Sequence, residues 1–451
     1  MRIYCIALLI LLSQQACAEV FEKTLSNGLH VIVKEDHRAP VLVQQIWYKT
    51  GSMDESAGKT GVAHALEHMM FKGTHLVPAG EFSRRIAAAG GRENAFTSSD
   101  YTAYFQQLDK RQLPLAMKLE SDRMHGLNLT QVEFAKEIKV VMEERRMRTD
   151  DEPRALLQER MMGDIYLEHP YHHPVIGWMT DLEQLSVKDV RNWYQQWYTP
   201  DNATLIIAGD VKADEVFKLA QHFYGAIPKR VLPARRVYTE PAQLGIRRMV
   251  VKAPAELPFL VMSYHAPNLL NPQQDWKPYA LEMLAGVLSG NDAARLNKHL
   301  VRDQQIASSA DAGYDSTSRG PVVFSLEAVP GKGKTVAEAE TALRGEIAIL
   351  IKDGVSEQEL KRVKAQVLAG EVYKLDSVFY QAMQIGQMES IGLGYKAIPL
   401  MLAKLQAVTA DQVRQVAEEY LQDDNLTVGV LDPQPLSGKV VHETGDSSHV
   451  R

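Results

Sequence analysis

The chain has 451 residues, 45% hydrophobic and 24% charged, with a net charge of −6. That length exceeds one ordinary core and implies two or more domains of a globular protein. The negative balance and the lack of any long Lys/Arg run exclude an electrostatic nucleic-acid binder, which needs clustered cations facing phosphates.

In chain order, the first residues read as an export signal. Arg2 gives a positive start, residues 3–12 are almost wholly apolar, and Ala16 and Ala18 fit a small-x-small cleavage site. The run is too short for a permanent membrane span. Residues 1–18 are therefore expected to be cut off after Ala18, leaving a periplasmic chain without stable membrane insertion. Cys17 raises a lipid anchor as an alternative, but Gln14 suits that poorly three positions earlier. A buried N-terminal helix is the other alternative. Cys5 and Cys17 are the only cysteines and both lie inside the signal. The mature chain then has no disulfide and no thiolate, and any metal must be held by His and carboxylate.

The rest divides into a first domain (19–226), a Pro- and Arg-rich linker (227–244), a second domain (245–434) and a tail (435–451) expected to be disordered. The two halves look related. Leu185-Ser-Val-Lys-Asp-Val190-Arg191 compares with Val408-Thr-Ala-Asp-Gln-Val413-Arg414, and at the same offset of 223 Asn202 falls on Asn425 and Thr204 on Thr427. In each copy a helix with an aromatic near its end (Trp197, Tyr420) leads into a strand, at 203–208 and 426–431. A repeat this long means duplicated domains rather than a solenoid. Each half mixes strands with amphipathic helices, which indicates an α+β class. No second segment is apolar enough for a membrane, and the many methionines read as core packing.

Residues 61–73 read as a helix ending at Gly73. Val62, Ala65, Leu66, Met69 and Met70 form its apolar stripe, and His64, Glu67 and His68 fall together on the other side. Two His one turn apart can hold one zinc ion, and Glu67 can take a proton from a water that zinc has acidified. The bland alternative is a solvated face with two ordinary histidines. A third ligand is available on a helix at 131–148, which Thr130 caps, with Glu133 completing a capping box. Its buried stripe is Phe134, Ile138, Val141 and Met142. Glu137 and Glu144, seven residues apart, share the margin of that stripe, whereas Glu143 points to solvent. Carboxylates at a buried margin are costly unless paired or metal-bound, which favours Glu144 over Glu143; a plain charged helix edge is the alternative. Arg145 falls inside the stripe, so the helix should end or bend there.

These residues resemble the inverzincin family of zinc peptidases: pitrilysin, insulysin and the mitochondrial processing peptidases. The family pattern is His-x-x-Glu-His followed by a ligand Glu about 76 residues on, and Glu144 follows His68 by 76. The resemblance implies one Zn2+ per chain on His64, His68 and Glu144, Glu67 as general base, and Glu137 supporting the ligands. It extends through Leu25-Ser-Asn-Gly-Leu-His30, Gly51-Ser-Met-Asp-Glu55, Phe71-Lys-Gly-Thr74, Tyr198-Thr-Pro-Asp-Asn202 and Gly209-Asp210. Gly90-Gly91-Arg-Glu-Asn94-Ala95-Phe96-Thr97 looks like the family's substrate-binding edge strand, implying that Asn94, Ala95 and Phe96 contact a peptide added as an extra strand. The implied architecture is two homologous domains, each a mainly antiparallel sheet packed with helices, facing each other around a substrate cleft. The likeness is closest to the short members that assemble in pairs.

The second half carries a fainter echo. Ala280-Leu281-Glu282 matches Ala65-Leu66-Glu67, but Tyr279 and Met283 replace the two His, so a duplicate without metal is expected. Active members also use an Arg and a Tyr from a metal-free domain to grip substrate. Arg302 resembles that Arg, but the Tyr position falls near Ser308 or Ser309, and Tyr314 is too far along. The expectation is therefore a zinc endopeptidase acting on peptides or unfolded segments, the zinc subunit of a heterodimer whose partner supplies the Arg/Tyr pair, with a homodimer as the alternative. The rival readings are a non-catalytic peptide-binding or assembly subunit and a zinc hydrolase of non-peptide substrates. His169, His172 and His173 could suggest a second metal site, but the surrounding Pro residues argue for a rigid loop. Asp210, after Gly209, reads as a turn residue.

Overall fold

The computed structural model describes residues 19–436; the expected signal and the tail beyond Leu436 lie outside the described residues. The first half builds β1 (Val20–Thr24), β2 (His30–Glu35), β3 (Val41–Tyr48), β4 (Arg92–Thr97), β5 (Thr102–Asp109) and β6 (Ala203–Gly209). Its helices are α1 (Val62–Met69), α2 (Glu81–Ala88), α3 (Leu113–Gly126), α4 (Gln131–Arg145), α5 (Pro153–Ile165), α6 (Met179–Leu182), α7 (Val187–Trp197) and α8 (Ala213–Tyr224). The second half builds β7 (Arg247–Pro254), β8 (Phe259–Ala266), β9 (Ala307–Gly313), β10 (Val322–Pro330) and β11 (Leu426–Gln434). Its helices are α9 (Lys277–Ser289), α10 (Val336–Asp353), α11 (Glu357–Leu375), α12 (Val378–Ile391), α13 (Ala397–Ala407) and α14 (Ala410–Tyr420).

The second sheet repeats five of the six strands of the first in the same arrangement, without a counterpart of β1. The first runs β1-β2-β6-β3-β5-β4 and the second β7-β11-β8-β10-β9. In each, one pair is parallel, β2 with β6 and β7 with β11, and the other pairs are antiparallel. The fold is thus the expected α+β duplication. The paired asparagines serve the same purpose in both halves. Asn202 Nδ2 donates to Trp197 O (3.0 Å) and Asn425 Nδ2 to Tyr420 O (3.3 Å). Each ties the helix end to the start of the following strand. Ser186 with Asp189 and Thr409 with Gln412 form matching capping boxes at the helix starts.

The inner strands β3 and β6 are buried on both faces, so each needs a helix layer on either side. One layer is local. The other is exchanged between the halves. Helix α5 leaves the first half and puts Leu157, Met161 and Ile165 against Phe259, Val261 and Leu431 of the second sheet. Helix α12 does the reverse, setting Ala382 and Ile385 against Ile32, Val43, Trp47 and Ile206. Both contacts are close enough to demand glycine. A Cβ on Gly386 would lie 2.0 Å from Trp47 Cε2, and one on Gly429 would lie 2.2 Å from Met161 Sδ.

The connection between Tyr224 and Arg247 forms no helix or strand, and Glu240 within it accepts from the amides of Leu167, Glu168 and His169. Gly386→Val forces overpacking against Trp47 and should lower the unfolding free energy by about 3 kcal/mol in urea titrations. Gly370→Ala, in α11 with open space around it, should instead raise it by about 0.5–1 kcal/mol.

Candidate metal centre

Helix α1 starts at Gly61, whose φ of 84° suits glycine. The buried Glu55 carboxylate accepts from Gly61 N (2.9 Å) and Ala63 N (2.8 Å), filling the free donors of the helix start. Val62, Ala63, Ala65, Leu66 and Met69 are buried, which leaves His64, Glu67 and His68 on the opposite face as expected. The helix stops at Met69, short of the expected Gly73. A turn takes the chain to Gly73, which has a φ of 94°. There a Cβ would lie 2.6 Å from Ala79 N, so the loop presses on the chain too closely for the helix to continue.

Helix α4 breaks at Arg145, where its stripe implied an end or bend, but lacks the expected capping box. Thr130 Oγ1 accepts from Glu133 N (3.2 Å), but Glu133 turns away to Lys136 (2.7 Å) and completes no capping box. The α-helix ends at Arg145 rather than at 148, and a π-helical turn follows over Arg146–Asp150. Arg145 is the cause: its buried guanidinium is drawn inward to Glu159 (2.7 and 2.9 Å) and Gly177 O (2.9 Å).

The two helices bring the expected residues together. Ligand atoms of His64, His68 and Glu144 all lie within 4.8 Å of one another, and no other group of three or more His, Cys, Asp or Glu does so among the described residues. Glu144 Oε2 is 3.3 Å from His68 Nε2 and 3.8 Å from His64 Nε2. His68 Nδ1 faces Glu137 Oε2 at 3.4 Å. Glu143 is 61% exposed and pairs with Arg146, whereas Glu144 is 17% exposed. Burial pushes the His64 pKa down to about 4. Burial also opposes charge on His68, but Glu137 and Glu144 outweigh it and hold its pKa near 9. Two carboxylates around one imidazole stabilise positive charge between them.

The donor set fits zinc. Two imidazoles and one carboxylate leave a fourth position open, the pattern of a catalytic rather than a structural site. His64 Nδ1 is buried without a hydrogen-bond partner, and its Nε2 faces Glu144 Oε2 (3.8 Å).

Glu67 is largely buried, and burial raises its carboxyl pKa against the opposing hydrogen bond from Thr97 Oγ1 (2.5 Å). Thr97 ends β4, so the strand holding Asn94, Ala95 and Phe96 adjoins Glu67. Asn94 Oδ1 accepts from Ala95 N (2.8 Å), Ala95 packs on the first core, and the Phe96 ring packs 5.3 Å from Trp47. Strand β4 pairs with β5 alone and forms the end of the sheet. A groove of about 700 Å³ opens at its Arg92 end and is lined by none of the candidate ligands.

Sequence reasoning missed three side chains. Thr97 belongs to the edge-strand motif, but nothing in the motif gives its hydroxyl a role. Lys72 Nζ pairs with Glu137 Oε1 (2.7 Å) and Arg148 Nη1 with Glu144 Oε1 (2.7 Å). Arg148 follows Glu144 by four positions, the spacing of helical neighbours, whereas Lys72 lies beyond the end of α1 and meets Glu137 from a separate segment.

The second domain lacks the trio. Tyr279 and Met283 are buried on α9. Aligning the caps Thr130 and Ser356 sets Gly370 opposite Glu144. What survives is the carboxylate and its partner: Ser316 Oγ donates to Glu282 Oε1 (2.5 Å) as Thr97 does to Glu67. Arg302, Ser308 and Ser309 are exposed. Tyr314 is committed elsewhere, donating to Pro267 O and stacking on Phe324. His169, His172 and His173 form no ligand group; His169 Nδ1 accepts from Tyr171 N (3.3 Å). Asp210 pairs with Lys110 and His37 at the surface.

Two duplicated sheets, one of them carrying an imidazole–carboxylate trio beside a carboxylate base candidate, define a two-domain zinc-peptidase class. The insulinase model of peptidase family M16 matches residues 30–177, and the model described as the M16 inactive domain matches residues 184–367. The chain is 33% identical over 428 residues to the zinc protease PqqE of Helicobacter pylori, covering 91% of this chain and 92% of that protein. It is 27% identical over 408 residues to an uncharacterized zinc protease of Mycobacterium leprae, covering 90% of each. The chain therefore belongs to the M16 peptidase family, the pitrilysin-like family of the sequence resemblance. Among solved structures, a protease from Helicobacter pylori superposes with a TM-score of 0.87 at 29% identity, over 92% of this chain and 100% of that one. The M16 inactive domain protein of Pseudomonas fluorescens shares the fold, with a TM-score of 0.82 at 17% identity, over 92% of this chain and 98% of that one.

Glu144→Ala should remove most bound zinc, and Glu137→Gln should weaken zinc affinity about 10–100-fold, read by metal analysis and chelator competition. Burial, aided by the charges of Asp315 and Glu371 and opposed by Ser316, raises the Glu282 pKa to about 7. That value exceeds the unfolded value of 4.5, so the stabilising contribution is complete below about pH 4.5 and is lost as pH rises through 7. Glu282→Gln should therefore be about 3 kcal/mol more stable than the wild type at pH 8, relative to their difference at pH 4.5, in urea unfolding at both values.

Proposed function

We propose that this chain is a zinc-dependent endopeptidase of the periplasm that hydrolyses peptides or unfolded segments bound as an added strand along β4. The observation that carries the reading is the convergence of His64, His68 and Glu144 within 4.8 Å, beside a Glu67 held by the last residue of an edge strand. Zinc, when bound, supplies Lewis acidity that polarises a carbonyl and makes water acidic. Glu67 takes the proton released in the attack and passes it to the leaving amine. Thr97 aims the Glu67 carboxylate, and Glu137 orients His68 through Nδ1. The unpaired side of β4 offers backbone groups to an extended peptide.

The exposed Ser308 and Ser309, where the family pattern expects Tyr, support an assembly in which a second chain supplies the substrate grip. A heterodimer with a related subunit is the reading adopted, and a homodimer is the alternative. Export rests on the sequence of residues 1–18. Among the described residues no helix is long and apolar enough to cross a membrane, and the fold is shared with the periplasmic protease PqqL of Escherichia coli (TM-score 0.79, 19% identity, over 92% of this chain and 48% of that one). The missing Tyr also favours a second reading, a peptide-binding subunit without catalysis.

The test is cleavage of fluorogenic peptides by the mature chain, alone and with a co-expressed family partner. Glu67→Gln should reduce cleavage by about 10²-fold or more and retain zinc. Unimpaired cleavage by that variant would remove Glu67 from the reaction, and zinc-replete wild type that binds peptide without cleaving it in either assembly would favour the second reading.

A further inference from the structure

The turn that joins β4 to β5, residues 98–101, is held from both domains. On its own side, Ser52 N donates to Ser98 O (3.1 Å) and Met53 N to Ser99 O (3.0 Å). Gly51 approaches so closely that a Cβ there would lie 2.3 Å from Ser98 O. On the other side, Arg319 of the second domain donates its backbone N–H to Asp100 Oδ2 (3.1 Å) and Nη1 to Asp100 O (3.1 Å). The same guanidinium grips Asp54 through Nη1 (2.9 Å) and Nη2 (3.2 Å).

Tyr171 completes the contact. Its hydroxyl donates to Asp100 Oδ1 (2.5 Å) and accepts from Gly320 N (3.0 Å). Both oxygens of the Asp100 carboxylate are thereby occupied. Asp54 and Asp100 are buried, and Arg319 is 15% exposed. Charge-assisted bonds at such depth are strong; Arg235 Nε also holds Asp54 Oδ1 (3.1 Å), so loss of Arg319 leaves Asp54 one cation and leaves the buried Asp100 without a cation. Arg319 lies between β9 and β10, the position in the second domain that the 98–101 turn holds in the first. Two equivalent hairpin turns are thus locked together, and the loop that carries His169 and His173 serves to deliver Tyr171 to that lock.

The 98–101 turn begins one residue after Thr97, whose hydroxyl holds Glu67. We propose that Arg319 is a positioning residue: from the metal-free domain it fixes the end of β4, and through Thr97 it fixes the Glu67 carboxylate. The proposal rests on the peptidase reading above. It makes cleavage depend on a residue more than 200 positions from Glu67 that touches neither substrate nor metal ligand. Misplacing a reacting group by about 1 Å can cost about 10²-fold in rate.

The experiment compares the full chain with Arg319→Gln and Arg319→Lys. Each is measured for zinc content, Tm, peptide kcat and KM, and hydrogen exchange by mass spectrometry. Arg319→Gln should lower kcat/KM about 10–100-fold, chiefly through kcat, with zinc content close to wild type and a lowered Tm. Exchange should rise about tenfold over residues 92–104 and stay unchanged in β2 and β6, and Arg319→Lys should recover part of the loss. A kcat/KM within twofold of wild type, or exchange rising equally across both sheets, overturns the proposal. Wild type that cleaves no peptide, alone or with a co-expressed family partner, defeats the peptidase reading separately. Local exchange in Arg319→Gln then still decides whether Arg319 fixes the end of β4, and unchanged exchange there overturns it.

Discussion

Each sheet of this protein has two apolar faces, and the chain covers the second face of each with a helix from the other half. That exchange of α5 and α12 is the constraint on which the rest depends. A sheet buried on both sides cannot leave one side wet without exposing strands as apolar as β3 and β6. Neither half is therefore a finished unit on its own. The exchange also sets how the halves meet. It seats α12 against Trp47, the indole that packs on Phe96 of the edge strand and on Tyr101 of the following turn.

The polar side of α1 is arranged on the same frame. Four charged or ionisable groups, His64, His68, Glu137 and Glu144, sit at 11–20% exposure. Uncompensated, they would be expensive. Lys72 and Arg148 at the margin balance the two carboxylates through Oε1, leaving Glu137 Oε2 to face His68 Nδ1 and Glu144 Oε2 to face both imidazoles. Glu67 is kept outside this balance, with a hydroxyl rather than a cation as its partner. Its counterpart Glu282 shows the same carboxylate–hydroxyl pair surviving where the ligands have been replaced by Tyr279, Met283 and Gly370.

What could be read from the sequence was what helix geometry decides within one turn or two. The face shared by His64, Glu67 and His68, the preference for Glu144 over Glu143 and the break at Arg145 all follow from 3.6 residues per turn. The duplication was legible because Asn202 and Asn425 do the same local work at the same offset. The rest depends on other elements. The break at Arg145 was legible, but its partners Glu159 and Gly177 O, from separate segments, were not. Glu133 finds Lys136 nearer than its own cap. Thr97 acquires a role only when β4 is laid beside α1, and Tyr171 only when Asp100 and Gly320 meet it. The exchanged helices left no mark in hydrophobic periodicity, because that pattern shows a helix has a buried face without showing which sheet buries it.

The exchange also orders events in time. Asp36 is hydrogen-bonded to Gln381, 345 residues later in the chain. The first sheet cannot acquire its second cover until most of the polypeptide is present. Contacts of such long range slow folding and prolong the exposure of apolar strand surface. During that interval the first half presents both an uncovered sheet and an unclaimed α5. The first half is therefore the part of this polypeptide whose apolar surface waits longest for its cover.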